Sequence, residues 1–529
     1  MDLFPETIIK GIVRHCVGPK VQCLYMWKPK LLWLQITRRW TQIGRRYVYS
    51  EAFLECYMAS SRALNNIHMR ALDGAPTDRK WVSNIDLIAS SGFNDLVSKL
   101  GLKLATAMAP VDFYRAVTDI LTQHTSKWPA INHVAVDMTR QFDQEMESSG
   151  MADVCQSFSQ ILEGVQQVEA GCDSLAHTRM VCGLIAMYVG QLSSLKLLDP
   201  MWFDIPSFEP TLRTLTVALG SSEIQRVPLV FAASLEHLTV HCLPRHFSWS
   251  HFTNNESNDG DTICFEQLVE LRLNFMLDTE NPGTLEMCKE VELSFPKLKQ
   301  LVISGCIVES CNSLLAHTYP SSIENVVFGG SVGGVAMLAR ASFDTIDNLL
   351  VEVVSVAETD ADEFYEATNR LYCDVAIGHE AALSIGPMAF KLDMHRLMWP
   401  RLTDLVLQQP VEFYDVVELI EALPALKSIE IAQMRLERFE DESEVVRFGE
   451  RLGEDTEPFG APVTKLHIAE VACECPFQVA AGAVQFLMIK MPRLQQLVID
   501  EYLDEYLEMF ADEYCDEIPH LAEINIFGT

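Results

Sequence analysis

No apolar run in this chain is long enough to cross a bilayer: the longest, Val181 to Leu192 and Phe477 to Ile489, hold about a dozen residues where a span needs roughly 20, so both are expected as buried helices. The 15 cysteines form no CxxC pair and are odd in number, which argues against a disulfide framework and favours a reducing, cytoplasmic or nuclear compartment. The opening MDLFPETIIK carries acids and Pro5 where a secretory signal needs a basic start and an apolar stretch. There is no GxxxxGK[ST] and no GxGxxG, so nucleotide binding has no motif and no cofactor is expected. Cations are scarce. Lys plus Arg number 40 against 73 Asp plus Glu, and the net charge of -33 repels phosphate backbones and anionic membranes, leaving neither nucleic acid nor membrane as an expected partner.

What is present is a globular composition, 49% hydrophobic and 21% charged, and a repeated phrase. A bulky aliphatic recurs at i, i+3 and i+5 in PTLRTLTV (Leu212, Leu215, Val217), ASLEHLTV (Leu235, Leu238, Val240), EQLVELRL (Leu268, Leu271, Leu273) and PKLKQLVI (Leu298, Leu301, Ile303). It continues in SSIENVVF, PRLTDLVL, PALKSIEI, PRLQQLVI and PHLAEINI, with weaker copies VSNIDL, INHVAV, LSSLKL, IDNLLV, YCDVAI and VTKLHI. A proline next to a large apolar residue commonly precedes the phrase, as in Trp128-Pro129, Phe295-Pro296 and Trp399-Pro400, where it stops a helix and extends the chain.

The i+3 and i+5 residues share one face of a short strand and point into a core, while the residues between them face outward. Helix-period stretches such as FYDVVELIEALP and FQVAAGAVQFLMIKMP separate the phrases. A strand, a turn and a helix per unit predict a parallel sheet with helices behind it, and the copies sit about 20 to 37 residues apart, against roughly 20 to 29 in regular leucine-rich repeats. In this the chain resembles the irregular leucine-rich-repeat (ribonuclease-inhibitor-like) superfamily from roughly Ala63 onward. The resemblance implies an α/β solenoid with a parallel concave sheet and outer helices, and by itself no particular activity. A compact α/β domain is the alternative.

On this pattern the partner-facing residues are expected to include His237, Thr239, Glu270, Arg272, Asn274, Gln300, Asp404 and Gln496, within a polar outward set to which Asp374, Glu523 and Asn525 also belong. The set is richer in acids than bases.

Residues 1–60 lack the phrase and are basic, with Lys10, Arg14, Lys20, Lys28, Lys30, Arg38, Arg39, Arg45 and Arg46. Pro5 ahead of Ile8, Ile9 and Ile12 reads as a helix start, and Leu32, Ile36, Trp40 and Ile43 share one face of a second helix. Pro5, Ile8, Ile9, Ile12, Ile36, Trp40 and Ile43 resemble an F-box, although Phe4 stands where leucine is usual and GPKVQCLYMWKPK has no Asp-Leu helix. That resemblance implies docking on a Skp-family adaptor of a cullin ligase through Pro5, Ile8, Ile9, Ile12 and Trp40. The alternative is a plain helical cap on the first repeat. The expected organisation is thus a head over 1–60 and repeats over 61–529.

Gly329-Gly330-Ser331-Val332-Gly333 matches the GxSxG of a hydrolase nucleophile turn between strand and helix, yet the repeat supplies the same context unaided. His237, His241, Cys242 and His246 form the densest ligand-like cluster, without the second close pair that a zinc site needs. The expectation is therefore a non-enzymatic interaction protein, a substrate-receptor subunit of a ubiquitin ligase holding an unidentified protein target. A scaffold or inhibitor with a helical cap is the alternative, and a serine hydrolase acting through Ser331 the remote one.

Overall fold

The computed structural model describes residues 50–58, 79–104, 110–138, 151–172, 183–198, 211–219, 233–242, 263–275, 293–305, 323–436, 446–472 and 477–528, apart from 91, 93, 124–127, 184, 187, 342, 344, 451 and 453–456. The chain divides into two compact units, Met1–Leu268 and Val269–Thr529.

In the first unit the strands of more than two residues are β1 (Glu51–Met58), β2 (Arg79–Ser83), β3 (Lys99–Leu104), β4 (His133–Met138), β5 (Gln167–Cys172), β6 (Ser194–Leu197), β7 (Thr214–Leu219) and β8 (His237–Cys242). β2 runs antiparallel to one side of β1, and β3 pairs parallel with its other side. From β3 to β8 the order is sequential and every pairing is parallel. The ladder aligns Leu100, Val134, Val168, Leu195, Leu215 and Leu238, all buried, so the i+3 position of each phrase meets that of the next.

Behind these strands lie α1 (Ile85–Ser90), α2 (Pro110–Thr122) and α3 (Met151–Ile161). Pro110 opens α2, where its missing N–H costs nothing. Helical spacing then buries Phe113, Tyr114, Val117 and Leu121, and Tyr114 meets Phe158 of α3 edge to face at 5.4 Å. Each such side chain contributes roughly 1.5–3 kcal/mol on burial.

In the second unit the strands of more than two residues are β9 (Glu270–Phe275), β10 (Gln300–Ser304), β11 (Asn325–Gly330), β12 (Thr345–Val353), β13 (Ala376–Ile385), β14 (Asp404–Glu412), β15 (Ser428–Arg435), β16 (Lys465–Ile468), β17 (Gln496–Ile499) and β18 (Asn525–Gly528). They too pair parallel in chain order. The helices are α4 (Val332–Arg340), α5 (Ala361–Asn369), α6 (Phe413–Ala422), α7 (Phe477–Lys490) and α8 (Glu501–Tyr514). Each unit is thus an open α/β layer built on a parallel sheet. As its apolar run predicts, α7 is nearly all core: Val479, Ala480, Val484, Leu487 and Met488 are buried.

The proline ahead of the phrase has a definite task. The anchor N–H donates to the carbonyl three residues back at Ile131→Trp128, Leu298→Phe295, Leu402→Trp399, Leu426→Leu423, Leu494→Met491 and Leu521→Ile518. Each is a four-residue turn with proline second, the position whose φ proline presets. The large apolar residue that opens the turn is buried in all but the last, where Ile518 is half-buried, and Trp128 and Trp399 rank among the largest core side chains. Trp128 also donates from Nε1 to the Leu121 carbonyl at 3.3 Å, tying α2 to the turn.

The structure corrects the sequence reading at several places. Glu51–Met58 is a sheet strand although it falls inside the span assigned to the head, and its inward residues Ala52, Leu54 and Cys56 are buried. VSNIDL is the end of the antiparallel strand β2 followed by α1, not a parallel phrase. Two further phrases emerge only in the structure: Val97, Leu100, Leu102 at β3 and Val165, Val168, Ala170 at β5, all buried.

YCDVAI does not supply the core positions of β13, which are Ala381, Leu383 and Ile385; Asp374 ends a π-helical turn, Arg370–Asp374, and faces solvent off the strand. Leu349 pairs with Ala381 while Leu383 pairs with Leu405, so the phrase slips by two residues across β13, which preserves the side-chain parity. At the end, Leu497 lies opposite Ile526 and not Ile524, and Glu523 belongs to a 3-10 turn, Pro519–Glu523.

Candidate functional site

In a pleated strand the residues between the buried anchors emerge on the opposite face, and parallel pairing sets them in rows about 4.8 Å apart. In the first unit one row is Glu51, Lys99, His133, Gln167, Ser194, Thr214 and His237, and the next is Phe53, Gly101, Ala135, Glu169, Lys196, Thr216 and Thr239. His237 and Thr239 are therefore neighbours on the outward face, both partly exposed. The charges interlock: Lys99 lies 3.8 Å from Glu51, Lys103 3.8 Å from Asp137, and Glu169 takes Lys196 at 2.9 Å and His133 at 3.8 Å. His241 shares the outward parity, and burial, then the nearby Lys196 charge, hold it below the ordinary histidine value. Cys242 points into the core with the opposite parity. His246 lies outside the described residues.

In the second unit, Glu270, Gln300, Asn325 and Asn348 form one row, and Asn325 and Asn348 are joined at 2.6 Å. Asn274 and Ser304 begin another, joined at 2.8 Å, and it continues through Gly329, Glu352 and Ser384. Between them runs Arg272, Val302, Val327, Leu350, Ala382, Asp404, Ser428, Lys465, Gln496 and Asn525. Arg272 is exposed and ion-paired to Glu270 on its own strand. Arg272, Asp404 and Gln496 thus share a row, with Glu270 and Gln300 on one side and Asn274 on the other.

The expectation of a wholly polar outward set does not hold. Val302 and Val327 are half-buried and Leu350 is 43% exposed, so three branched apolar side chains stand in line on adjacent strands of the outward face. They sit between the anchors of their phrases, where parity alone marks them as outward; reading only the polar residues at those positions passed over them. Among the described residues Glu352 and Glu380, beside this stripe, are in no ion pair.

Ser331 joins β11 to α4 as the sequence suggested, and it caps the helix: its side chain accepts from the Gly334 N–H at 3.4 Å. Gly330, just before it, has a packing reason. A Cβ on Gly330 would stand 2.5 Å from the Gly305 carbonyl oxygen, and Gly305, at φ +94°, would put one 1.9 Å from the Phe275 carbonyl oxygen. Among the described residues no group of three or more His, Cys, Asp or Glu is placed to hold a metal ion. Pro5, Ile8, Ile9, Ile12 and Trp40 lie outside the described residues. In comparisons with protein-family models and with curated proteins, none matches this chain.

Proposed function

We propose that the chain is a protein-interaction subunit built as a leucine-rich-repeat solenoid, which holds a protein target on the outward face of its parallel sheet. On this reading the basic, F-box-like head docks on a Skp-family adaptor, so that the chain serves as a substrate receptor of a cullin-type ubiquitin ligase and carries no catalytic residue of its own. The observation that supports it best is the Val302–Val327–Leu350 stripe. A parallel sheet covered by helices on one face leaves the other open, and apolar side chains held open there lower the free energy when a partner covers them. The surrounding amides and hydroxyls are already bonded to one another across strands, as Asn325–Asn348 and Asn274–Ser304, which fixes them for directional contacts at little entropic cost.

A photo-crosslinking residue placed in the full chain at Val327 should trap a discrete protein target in cells, and the same residue at Glu418, on the exposed side of α6, should not. Equal capture from the two positions, or none from Val327, contradicts the sheet-face reading. A scaffold without a ligase shares this face and differs in the head, which adaptor binding tests separately.

A further inference from the structure

Helix α8, EYLDEYLEMFADEY, has more apolar surface than its fold uses. Leu503, Leu507 and Ala511, at i, i+4 spacing, are buried beneath it. A second line, Tyr502, Tyr506 and Met509, is rotated roughly 100° about the axis from the first and remains open, with Met509 69%, Tyr502 46% and Tyr506 41% exposed. Phe477, at the start of α7, extends the patch: its ring lies 6.1 Å from Tyr502 and 5.3 Å from Tyr506. The arrangement is fixed in place, because the Tyr502 hydroxyl donates to the Val471 carbonyl at 3.0 Å.

The rim is of one sign. Glu505, Asp512 and Glu513 border this line on α8, Glu501 and Glu508 lie beyond them, the helix has no lysine or arginine, and among the described residues none of these carboxylates is in an ion pair. An occupant must therefore bring apolar side chains for the aromatic and methionine line and cations for its edges, and tyrosine faces add their own attraction for cations. A line at i, i+4, i+7 is the ridge spacing that another helix fits. A second copy of the chain fits poorly, since a symmetric contact would set the same bordering acids against themselves. Anionic lipid is repelled for the same reason.

We propose that the Tyr502–Tyr506–Met509 flank of α8, together with Phe477, is a docking surface for a basic amphipathic helix of a partner protein. The surface is separate from the sheet face and stands on its own observations.

The probe is a fluorescent synthetic helix of about 16 residues, leucine along one face and lysine on its flanks, titrated into the full chain by anisotropy. The same peptide with glutamate for lysine, or with serine for leucine, is the control. Tight binding is expected for the leucine–lysine peptide alone, with about a tenfold loss for either control and for Tyr506→Ser with Met509→Ser. Both positions are exposed, so the thermal transition should not move; if the double variant is unstable, Met509→Ser alone carries the comparison. Leu350→Ser on the sheet face should leave this binding unchanged. The proposal is overturned if Met509→Ser binds like the parent chain, if the serine–lysine peptide binds as well as the leucine–lysine one, which makes it the general acidic field, or if sedimentation shows a dimer that Met509→Ser dissolves, which makes the occupant a second copy.

Discussion

Replacing Leu405 by alanine removes a side chain that is 1% exposed and stands between Leu383 and Ile429 on the neighbouring strands. The loss combines the transfer free energy of the missing groups with the cavity they leave, together about 2–5 kcal/mol for a buried leucine. The upper part of that range applies here. β13 and β15 are held to β14 by parallel ladders, and the Pro400 turn fixes Trp399 and Leu402 below, so little of the wall can collapse inward. In an open sheet each strand touches mainly its neighbours, and the destabilisation stays local. Hydrogen exchange resolved by fragment should show amides of 376–385, 404–412 and 428–435 exchanging at least about thirtyfold faster, the factor for 2 kcal/mol, while 270–275 and 525–528 change far less. Unchanged protection around Leu405 would refute the register, and an equal loss along the whole unit would refute the local character.

Gly305→Ala forces a side chain into a left-handed conformation and onto the Phe275 carbonyl; the backbone strain alone is about 1–3 kcal/mol, so thermal unfolding should begin several degrees lower, and a variant as stable as the parent would remove the close approach of β9 and β10 from the description. His241 titrates below the usual histidine value of 6.5, so the unfolded chain takes up its proton first and this group's contribution, full above pH 6.5, is lost as pH falls from there through the lower folded value. The acid loss of stability measured by chemical denaturation should therefore be smaller in His241→Asn than in the parent; an identical pH profile would contradict it. Tyr372→Phe deletes a fully buried hydrogen bond of 2.7 Å to the Ala382 carbonyl and should cost about 1 kcal/mol, read as a shift in denaturant midpoint at constant slope.

Much of this fold is visible in the sequence because one steric rule repeats. Leu271, Leu301, Val326 and Leu349 fall opposite one another since each phrase sets this anchor three residues after a buried aliphatic, Leu268, Leu298, Ile323 and Ile346. The phrases of β3 and β5 escape notice for physical reasons: Val97 and Val165 fill corners and Ala170 an inward strand position where leucine is usual, Gly101 interrupts the outward face, and no proline turn announces either strand. β1 carries no such announcement either. YCDVAI misleads because β13 is long and its pairing with β12 shifts register between Ile346 and Asn348, which moves its inward residues downstream to Ala381 and Leu383. For the candidate site, parity places Arg272, Asp404 and Gln496 on the outward face correctly, but valine looks the same inside and outside, so Val302 and Val327 become visible as surface only with the pairing in hand. The open flank of α8 is similar: helical period groups Leu503, Tyr506, Leu507, Phe510 and Tyr514 together, and only packing shows that Leu503 and Leu507 are covered while Tyr506 is not.

Whether the chain acts as a ligase receptor turns on the adaptor. Purified full-length chain titrated with a Skp-family adaptor in a calorimeter should bind with one-to-one stoichiometry, and Ile8→Asp should abolish the heat while the thermal transition of the repeats stays in place. Absence of binding by the parent chain, or undiminished binding by a well-folded Ile8→Asp variant, contradicts the receptor assignment and leaves a repeat scaffold whose head is a cap.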